Sequence, residues 1–264
     1  MPDKGWENAR FREHFADARP PHDIDRPLIE EAPVAIEING IGYAVMMATP
    51  TDLADYAAGF LLSEQIIADP AELLSTDAQP VADGGWMLRV TVSAGNAAPL
   101  LERARLRLSE GSCGLCGIES LEQVLRPLAP VTARLDVSEA ALFAAAGALR
   151  DRQPLGRTTG AAHAAAFCDG QGRIVAVRED VGRHNALDKL IGHLAIRGIS
   201  PAEGFILLSA RCSFELVQKT VIAGCPVLAT ISAASTLAAE QARAHGVRLY
   251  SLLRSDSVLE SRGE

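Results

Sequence analysis

The sequence predicts an α/β fold, and three observations support this class. In the second half of the chain, short apolar runs alternate with amphipathic helical patterns, as is typical of helices packed on a sheet. In the first half, Asn39-Gly40 separates two strand-like runs and predicts a hairpin, because a type I′ turn needs positive φ at both central residues. Hydrophobic residues make up 48% of the 264 residues and charged residues 22%, an ordinary globular balance.

The first half divides into an arm and a smaller α+β domain. Residues 1–27 are polar and rich in Pro, Arg and Asp, and they are interpreted as a loose arm. The smaller domain is expected to cover 28–128 and to end in a cysteine loop at 109–117. Its predicted elements are strands 34–38, 41–46 and 86–92, and a helix that begins after Thr51-Asp52.

The second half is predicted to be one larger α/β domain, residues 129–264. Ser138 is a favourable N-cap for an Ala-rich helix. Asp169-Gly170-Gln171-Gly172 predicts a turn between two strands. The expected elements are helices 138–150, 183–196, 213–223 and 236–245, and strands 161–168, 173–178, 205–209, 227–231 and 247–253. This order predicts a mostly parallel or mixed sheet.

Charge and composition exclude several classes of partner. The net charge is −8 and aromatic residues make up 5%, which argues against nucleic-acid binding and against an anionic membrane surface. The N-terminus lacks the apolar core of a signal peptide, and the apolar runs are too short to span a bilayer. Cys168, Cys212 and Cys225 are scattered singly, which is poor material for disulfides. We expect a cytoplasmic protein.

Cys113 and Cys116 stand among three glycines in the segment from Glu110 to Gly117. Since glycine costs roughly 1 kcal/mol in a helix, a loop with two neighbouring thiols is expected. A zinc knuckle needs four ligands, and no second pair at metal spacing is present, so no metal site is predicted. A dithiol redox couple or a buried structural pair remain alternatives, but the glycines favour an exposed cysteine that is nucleophilic or carries a persulfide.

Two strand-to-helix junctions carry further candidate residues. Arg183 and His184 follow Asp180-Val181-Gly182 at the start of a predicted helix, where free backbone N–H groups can bind phosphate. Alternatively, Asp180 caps that helix and Arg183 pairs with a carboxylate. Arg211 precedes Ser213, a favourable N-cap, and is either an anion ligand or an ion-pair partner of a glutamate at 179 or 215.

His163 follows Thr158-Thr159-Gly160 and lies among small residues. It is either a ligand contact or a hydrogen-bonded core histidine. Ligands of open α/β sheets gather beyond the carboxyl ends of the strands. We therefore expect His163 and both junctions to lie along one edge of the sheet.

The cysteine loop has the sequence Ser112-Cys113-Gly114-Leu115-Cys116-Gly117. Further distinctive blocks are Thr49–Leu53, Gly59–Leu61, Thr159–Ala165, Arg178–Lys189, Leu208–Lys219 and Ala223–Val227. Together these blocks resemble the FdhD family, the formate dehydrogenase accessory sulfurtransferases, whose SCGxCG loop matches the cysteine loop. The resemblance extends over roughly residues 30 to 255.

The resemblance implies an α/β protein with a cytidine-deaminase-like three-layer sandwich at the C-terminus and a smaller N-terminal α+β domain. It implies a sulfurtransferase, an accessory protein, that takes persulfide sulfur from a cysteine desulfurase. The sulfur passes to molybdenum cofactor in its bis(molybdopterin guanine dinucleotide) form, for insertion into the catalytic subunit of formate dehydrogenase. Cys113 would carry the persulfide, with Cys116 as its neighbour or resolving thiol, and a homodimer is expected. A cofactor-binding chaperone and a zinc or redox adaptor are the alternatives.

The tail departs from the family pattern. Relatives tend to carry a Gly-Phe-x-Arg-Gly segment that binds the cofactor through its guanine nucleotide, and only Arg254 is clearly retained here. Ala161 likewise stands at the second glycine of a TGG motif. The deaminase-like fold does not imply deaminase chemistry, because the His-x-Glu and Pro-Cys-x-x-Cys zinc motifs are missing. The expected cofactor contacts are His163, Arg183, His184, Arg211, Leu252, Leu253, Arg254, Ser255, Asp256 and Ser257.

Overall fold

The computed structural model describes residues 4–82, 84–93 and 128–262. Cys113, Cys116 and the rest of the predicted cysteine loop lie outside the described residues. Within the described part of the chain, the architecture is mixed α/β with three sheets. None of the described helices has the length and apolar character that crossing a membrane requires.

The N-terminal segment forms a two-stranded antiparallel sheet, in which β1 (Trp6–Glu13) pairs with β2 (His22–Ile29). The interpretation of residues 1–27 as a loose arm is therefore wrong for most of this segment. Most side chains of the two strands are exposed, so the sequence shows little of the alternation that marks a half-buried strand. Hydrogen bonds between the two backbones hold the sheet together, and these bonds leave no pattern in side-chain hydropathy.

The second sheet has four strands in the order β4-β3-β6-β5. Apolar side chains from one of its faces pack against α1 (Leu53–Ser63). The predicted hairpin is confirmed, because Asn39 and Gly40 have φ of 50° and 81° between β3 and β4. The strands are β3 (Ala32–Ile38), β4 (Ile41–Ala48), β5 (Leu73–Pro80) and β6 (Trp86–Val92).

The third sheet is mixed and has six strands in the order β12-β11-β10-β9-β7-β8. Its central strands β9, β10 and β11 are parallel, whereas β7 is antiparallel to both of its neighbours. The strands are β7 (His163–Asp169), β8 (Ile174–Asp180), β9 (Gly204–Leu208), β10 (Val227–Thr230), β11 (Arg248–Ser251) and β12 (Leu259–Glu260).

Helices cover both faces of the six-stranded sheet. On one face, α2 (Glu139–Leu149) packs against alternate residues of β7, β9 and β10, and the short α3 (Pro154–Thr159) follows it in the chain. The opposite face packs against α4 (Arg183–Ile196), α5 (Phe214–Ile222) and α6 (Thr236–Ala244). We call these the α2 face and the α4 face.

The two larger sheets are joined through α1 and α4, which cross at close range. A Cβ atom at Gly59 would lie 1.7 Å from the backbone oxygen of Asp188, and one at Gly192 would lie 1.8 Å from that of Asp55. Only residues without a side chain allow two helix backbones to approach this closely. The two glycines therefore set the separation of the helices, and with it the position of the four-stranded sheet.

Candidate functional site

The carboxyl edge of the six-stranded sheet brings together the candidate residues of the C-terminal half. Because β7 is antiparallel to β9, its first residue, His163, lies beside the carboxyl end of β9. His163 also pairs in register with Asp180, the last residue of β8. The junctions that carry Arg183 and Arg211 follow β8 and β9 directly. The structure thus agrees with the predicted placement of these residues along one edge.

His163 lies close to several basic side chains. Its ring is half-buried and makes no hydrogen bond with any described residue. Partial burial, followed by the positive charge of Arg183, lowers the pKa of His163, and His184 and Arg211 act in the same direction while Asp180 opposes them. The alternative of a hydrogen-bonded core histidine finds no support in these residues. A bound anion would relieve the repulsion, so the arrangement favours a ligand with negative charge.

Arg183 and Arg211 form no ion pair with any residue that the structure describes. The Nε atom of Arg183 is buried and has no hydrogen-bond partner there. The alternative that Arg211 pairs with Glu179 or Glu215 is wrong for these residues. Glu179 accepts hydrogen bonds from the backbone of Leu155 and Gly156, and Glu215 has other partners.

Glu215 binds the side chains of Ser213 and His184. The Ser213 hydroxyl donates a hydrogen bond of 2.7 Å to Glu215, and Nε2 of His184 lies 3.5 Å from the same carboxylate oxygen. The hydrogen bond from His184, assisted by that from Ser213, lowers the pKa of Glu215 to about 2. Ser213 occupies the predicted N-cap position of α5 but makes no capping hydrogen bond, because its hydroxyl is directed to this carboxylate.

The β8–α4 junction is fixed by a buried polar network around Asp180. One carboxylate oxygen accepts hydrogen bonds from the backbone of Gly182 and the side chain of Asn185. The other lies 2.7 Å from Nζ of Lys189 and accepts the backbone N–H of Thr49. The side chains of Asp180 and Lys189 are both 0% exposed. The backbone N–H of Gly182 therefore has an acceptor, and that of Val181 donates to the Thr49 hydroxyl. Both groups were expected to be free to bind phosphate.

The same network ties the edge of the six-stranded sheet to the segment that precedes α1. Lys189 donates to the backbone oxygen of Thr49, and Asn185 donates to that of Met47. A further ion pair lies at the same contact, where the guanidinium of Arg178 binds the carboxylate of Asp55 at 2.6 Å. We call this contact between the two larger sheets the seam. The two sequence blocks 49–53 and 178–189 thus contact each other. Much of the second block stabilises the fold and holds Arg183 and His184 in place.

The tail packs against the α2 face through Leu253. Leu253 is buried in the core of that face, and its backbone N–H donates to Thr230. Leu252 has a φ of 51°, a left-handed conformation that is costly for leucine. The guanidinium of Arg254 donates to the backbone oxygen of Ile231. Ser255, Asp256 and Ser257 are exposed. The structure therefore places Leu253 and Arg254 against the α2 face, whereas Arg183 and His184 begin α4 on the other face.

Sequence reasoning missed the buried residues that hold this edge. Asp180 and Lys189 belong to the block 178–189, but the burial of a lysine at the contact between the two larger sheets leaves no signal in hydropathy or spacing. The three single cysteines are free and buried, and burial raises the pKa of each thiol to about 12. They are inert at neutral pH. This agrees with the expectation that they form no disulfide framework.

Residues 29–259 match the model of the FdhD/NarQ family. A protein of Bordetella petrii named sulfur carrier protein FdhD is 44% identical over 236 residues, which cover 89% of this chain and 84% of that protein. A protein of the same name from Chromobacterium violaceum is 45% identical over 245 residues, 90% of this chain and 88% of that protein.

A solved structure has the same fold along almost the whole chain. It is described as a candidate formate dehydrogenase accessory protein from Desulfotalea psychrophila, and it superposes with a TM-score of 0.76. The match covers 98% of this chain and 97% of that one at 20% sequence identity, so it shows the fold alone. The family match and the two relatives, together with this fold, establish that the chain belongs to the FdhD/NarQ family.

Proposed function

We propose that this protein is a sulfur carrier for the maturation of formate dehydrogenase. It takes persulfide sulfur from a cysteine desulfurase and passes it to the bis(molybdopterin guanine dinucleotide) form of molybdenum cofactor, its substrate. The observation that carries the proposal is the family match over residues 29–259, which includes the Cys113–Cys116 loop. The relatives' names, sulfur carrier protein FdhD, support the same function.

Cys113 is the sulfur carrier in this proposal. Its thiolate attacks the terminal sulfur of the donor's persulfide, so that a new S–S bond forms at Cys113 as the donor's S–S bond breaks. The donor cysteine leaves as a thiolate, and no external oxidant is needed. Cys116 assists as a neighbouring or resolving thiol. Cys168, Cys212 and Cys225 do not compete for the sulfur, because all three are buried.

The carboxyl edge of the six-stranded sheet is the proposed binding site of the cofactor's phosphates. Arg183 and Arg211 lack carboxylate partners among the described residues, and His163 lies beside the end of β9, close enough for both charges to lower its pKa. Unpaired cations at strand ends suit an anionic ligand. Arg254 is the expected contact from the tail. Leu252, Leu253, Ser255, Asp256 and Ser257 are proposed to shape that side of the site.

The proposal extends to architecture and partners. The six-stranded sheet with helices on both faces supports a cytidine-deaminase-like three-layer sandwich for residues 129–264. The smaller α+β domain would span 28–128 and carry the cysteine loop. We further propose a cytoplasmic homodimer that contacts the desulfurase and the catalytic subunit of formate dehydrogenase.

Mass spectrometry of the intact protein tests the role of Cys113. After incubation with cysteine and a cysteine desulfurase, we expect added sulfur on Cys113 of the wild type and none at that position in Cys113→Ala. In cells that carry only Cys113→Ala, formate dehydrogenase should remain inactive. Cys168→Ala is the matched control, because its thiol is buried, and it should load sulfur normally. Wild-type maturation by Cys113→Ala would favour a cofactor-binding chaperone instead.

A further inference from the structure

An uncharged cleft lies between the C-terminal parts of α1, α4 and α5. It has a volume of about 540 Å³, and every described residue that lines it is uncharged. The clefts beside α3 and the one between α1 and α5, by contrast, contain charged side chains. A concave apolar surface of this kind marks a binding surface for another apolar group. Its large aliphatic side chains come from Leu62, Ile67, Ile191, Leu194, Ile199 and Ile222.

Acidic residues border this cleft. Asp69 lies between two lining residues in the chain, and the carboxylate of Glu72 accepts the backbone N–H of Ala68, a lining residue, at 2.8 Å. Glu203 ends a turn whose first residue also lines the cleft. Within two positions of a lining residue, the described part of the chain adds one exposed basic residue, Arg197. The cleft therefore suits an apolar partner that carries basic side chains.

One segment of this chain has that chemistry. Residues 100–108 contain four leucines, three arginines and one glutamate, and they lead directly into the cysteine loop at 109–117. They lie outside the described residues. Residues 118–126, on the other side of the loop, carry Glu119 and Glu122, which the acidic border of the cleft would repel. Charge complementarity thus favours residues 100–108.

The described residues on either side of this stretch place its ends near the cleft. The backbone N–H of Ser93 donates to the backbone oxygen of Glu72 at 3.0 Å. An extended chain spans about 3.3–3.6 Å per residue, so Leu100 can lie up to roughly 25 Å from this point. At the other end, Leu128 packs against the core cluster that includes Ile191 and Leu194 of the cleft. The chain is therefore long enough to bring residues 100–108 to the cleft.

We propose that the cleft binds residues 100–108 of the same chain, with leucines inside it and arginines paired to Asp69, Glu72 and Glu203. The cysteine loop begins at the next residue, so this contact fixes the base of the loop beside α1, α4 and α5. Cys113 is five residues from Leu108 and stays within roughly 18 Å of it. The contact does not depend on the proposed function. Only its consequence does, namely that sulfur on Cys113 is presented from a defined position.

Hydrogen exchange of the full chain, read by mass spectrometry, tests the contact. The backbone amides of residues 100–108 should exchange more slowly than those of a free peptide of the same sequence. Ala195→Arg puts a cation into the cleft from a half-buried position of α4. It should speed this exchange about tenfold, because it repels the arginines. Ile196→Arg is the matched control, since this neighbour is 51% exposed and lies outside the cleft, and it should change nothing.

Wild-type exchange at the rate of the free peptide would overturn the proposal, and so would equal acceleration by Ala195→Arg and Ile196→Arg. Photo-cross-linking gives a second measurement that needs no disruptive change. A p-benzoylphenylalanine in place of Ala68, an exposed residue of the cleft, should cross-link to residues 100–108 within one chain. Cross-linking to residues 118–126 instead, or to a second copy of the chain, would overturn the assigned occupant.

Sulfur loading of Cys113 is measured on the same samples and separates this inference from the proposed function. Loading without slowed exchange or the expected cross-link overturns the contact alone. Slowed exchange and the cross-link without loading leave the contact intact and contradict the sulfur carrier.

Discussion

The seam between the two larger sheets and the carboxyl edge of the six-stranded sheet use charge differently. At the seam, Asp180 pairs with Lys189 and Arg178 with Asp55. At the edge, Arg183 and Arg211 have no carboxylate partner in the described part of the chain. Charge at the seam stabilises the fold, because an unpaired buried charge is costly. Charge at the edge lacks such a partner among the described residues and remains available for a ligand.

Both regions contain residues of one sequence block, residues 178–189. In the block 178–189, Asp180 and Lys189 are fully buried, while Arg183 and His184 are partly exposed at the edge. A recognisable motif is therefore not equivalent to a binding site. Within this block, the partners of each side chain distinguish residues that hold the site from residues that can contact the ligand.

The largest effect is expected when the buried ion pair of the seam is broken. Lys189→Met leaves the Asp180 carboxylate buried without its counter-ion, and such a change typically costs about 3–5 kcal/mol. Denaturant unfolding measures the loss. Adding Asp180→Asn to Lys189→Met should recover part of it. As a control, Arg10→Met breaks an exposed pair with Asp23 on the N-terminal sheet and should cost less than about 1 kcal/mol. Equal losses of stability in Lys189→Met and Arg10→Met would contradict the conclusion that buried charge at the seam stabilises the fold.

The next largest effect is expected at the helix crossing. Gly59→Ala places a Cβ atom 1.7 Å from the backbone oxygen of Asp188, so α1 and α4 must separate, at a cost of about 1–3 kcal/mol. Gly147→Ala in α2 is the matched control. A Cβ atom there meets nothing within 4 Å, and the change should stabilise the helix by about 0.5–1 kcal/mol. If Gly59→Ala and Gly147→Ala change thermal stability equally, the backbones of α1 and α4 do not pack as closely as described.

Local signals predicted many of the elements correctly. The Asn39-Gly40 turn and the Ser138 cap were recognised because their geometry depends on a few adjacent residues. The short α3 and β5 were missed, as was the N-terminal sheet, because their side chains are largely exposed and carry weak periodicity. The alternation of strand-like and helix-like patterns predicted the α/β class, but it did not predict which strands pair.

The site was predictable in position but not in detail. Strand-to-helix junctions indicated that His163, Arg183 and Arg211 would share an edge, which the structure agrees with. The buried pair of Asp180 and Lys189 could not be predicted, since it requires the segment before α1 to pack against α4. The roles of Glu179 and Glu215 also depend on which donors reach them through space.

The smallest effect is expected at Glu215, whose carboxylate contacts the side chains of His184 and Ser213 at the edge. Glu215 has its pKa lowered to about 2 by the hydrogen bonds from His184 and Ser213, against a usual value of 4.5. A carboxyl whose pKa is lower in the folded state adds stability above its unfolded pKa, and this contribution is lost as the pH falls towards the folded value. Because the side chain is 53% exposed, the contribution should stay below about 1 kcal/mol.

Glu215→Gln isolates this charge, since its amide oxygen can still accept the Ser213 hydroxyl. Wild type should exceed the variant in free energy of unfolding at neutral pH, and the difference should shrink as the pH falls from about 4.5 towards 2. A double-mutant cycle with His184→Gln assigns the coupling to that pair. A pH-independent difference would show that packing, and not the carboxylate charge, links α5 to His184. In that case the Glu215–His184 pair would contribute no measurable free energy of unfolding. The edge would then differ even more clearly from the seam, where ion pairs stabilise the fold.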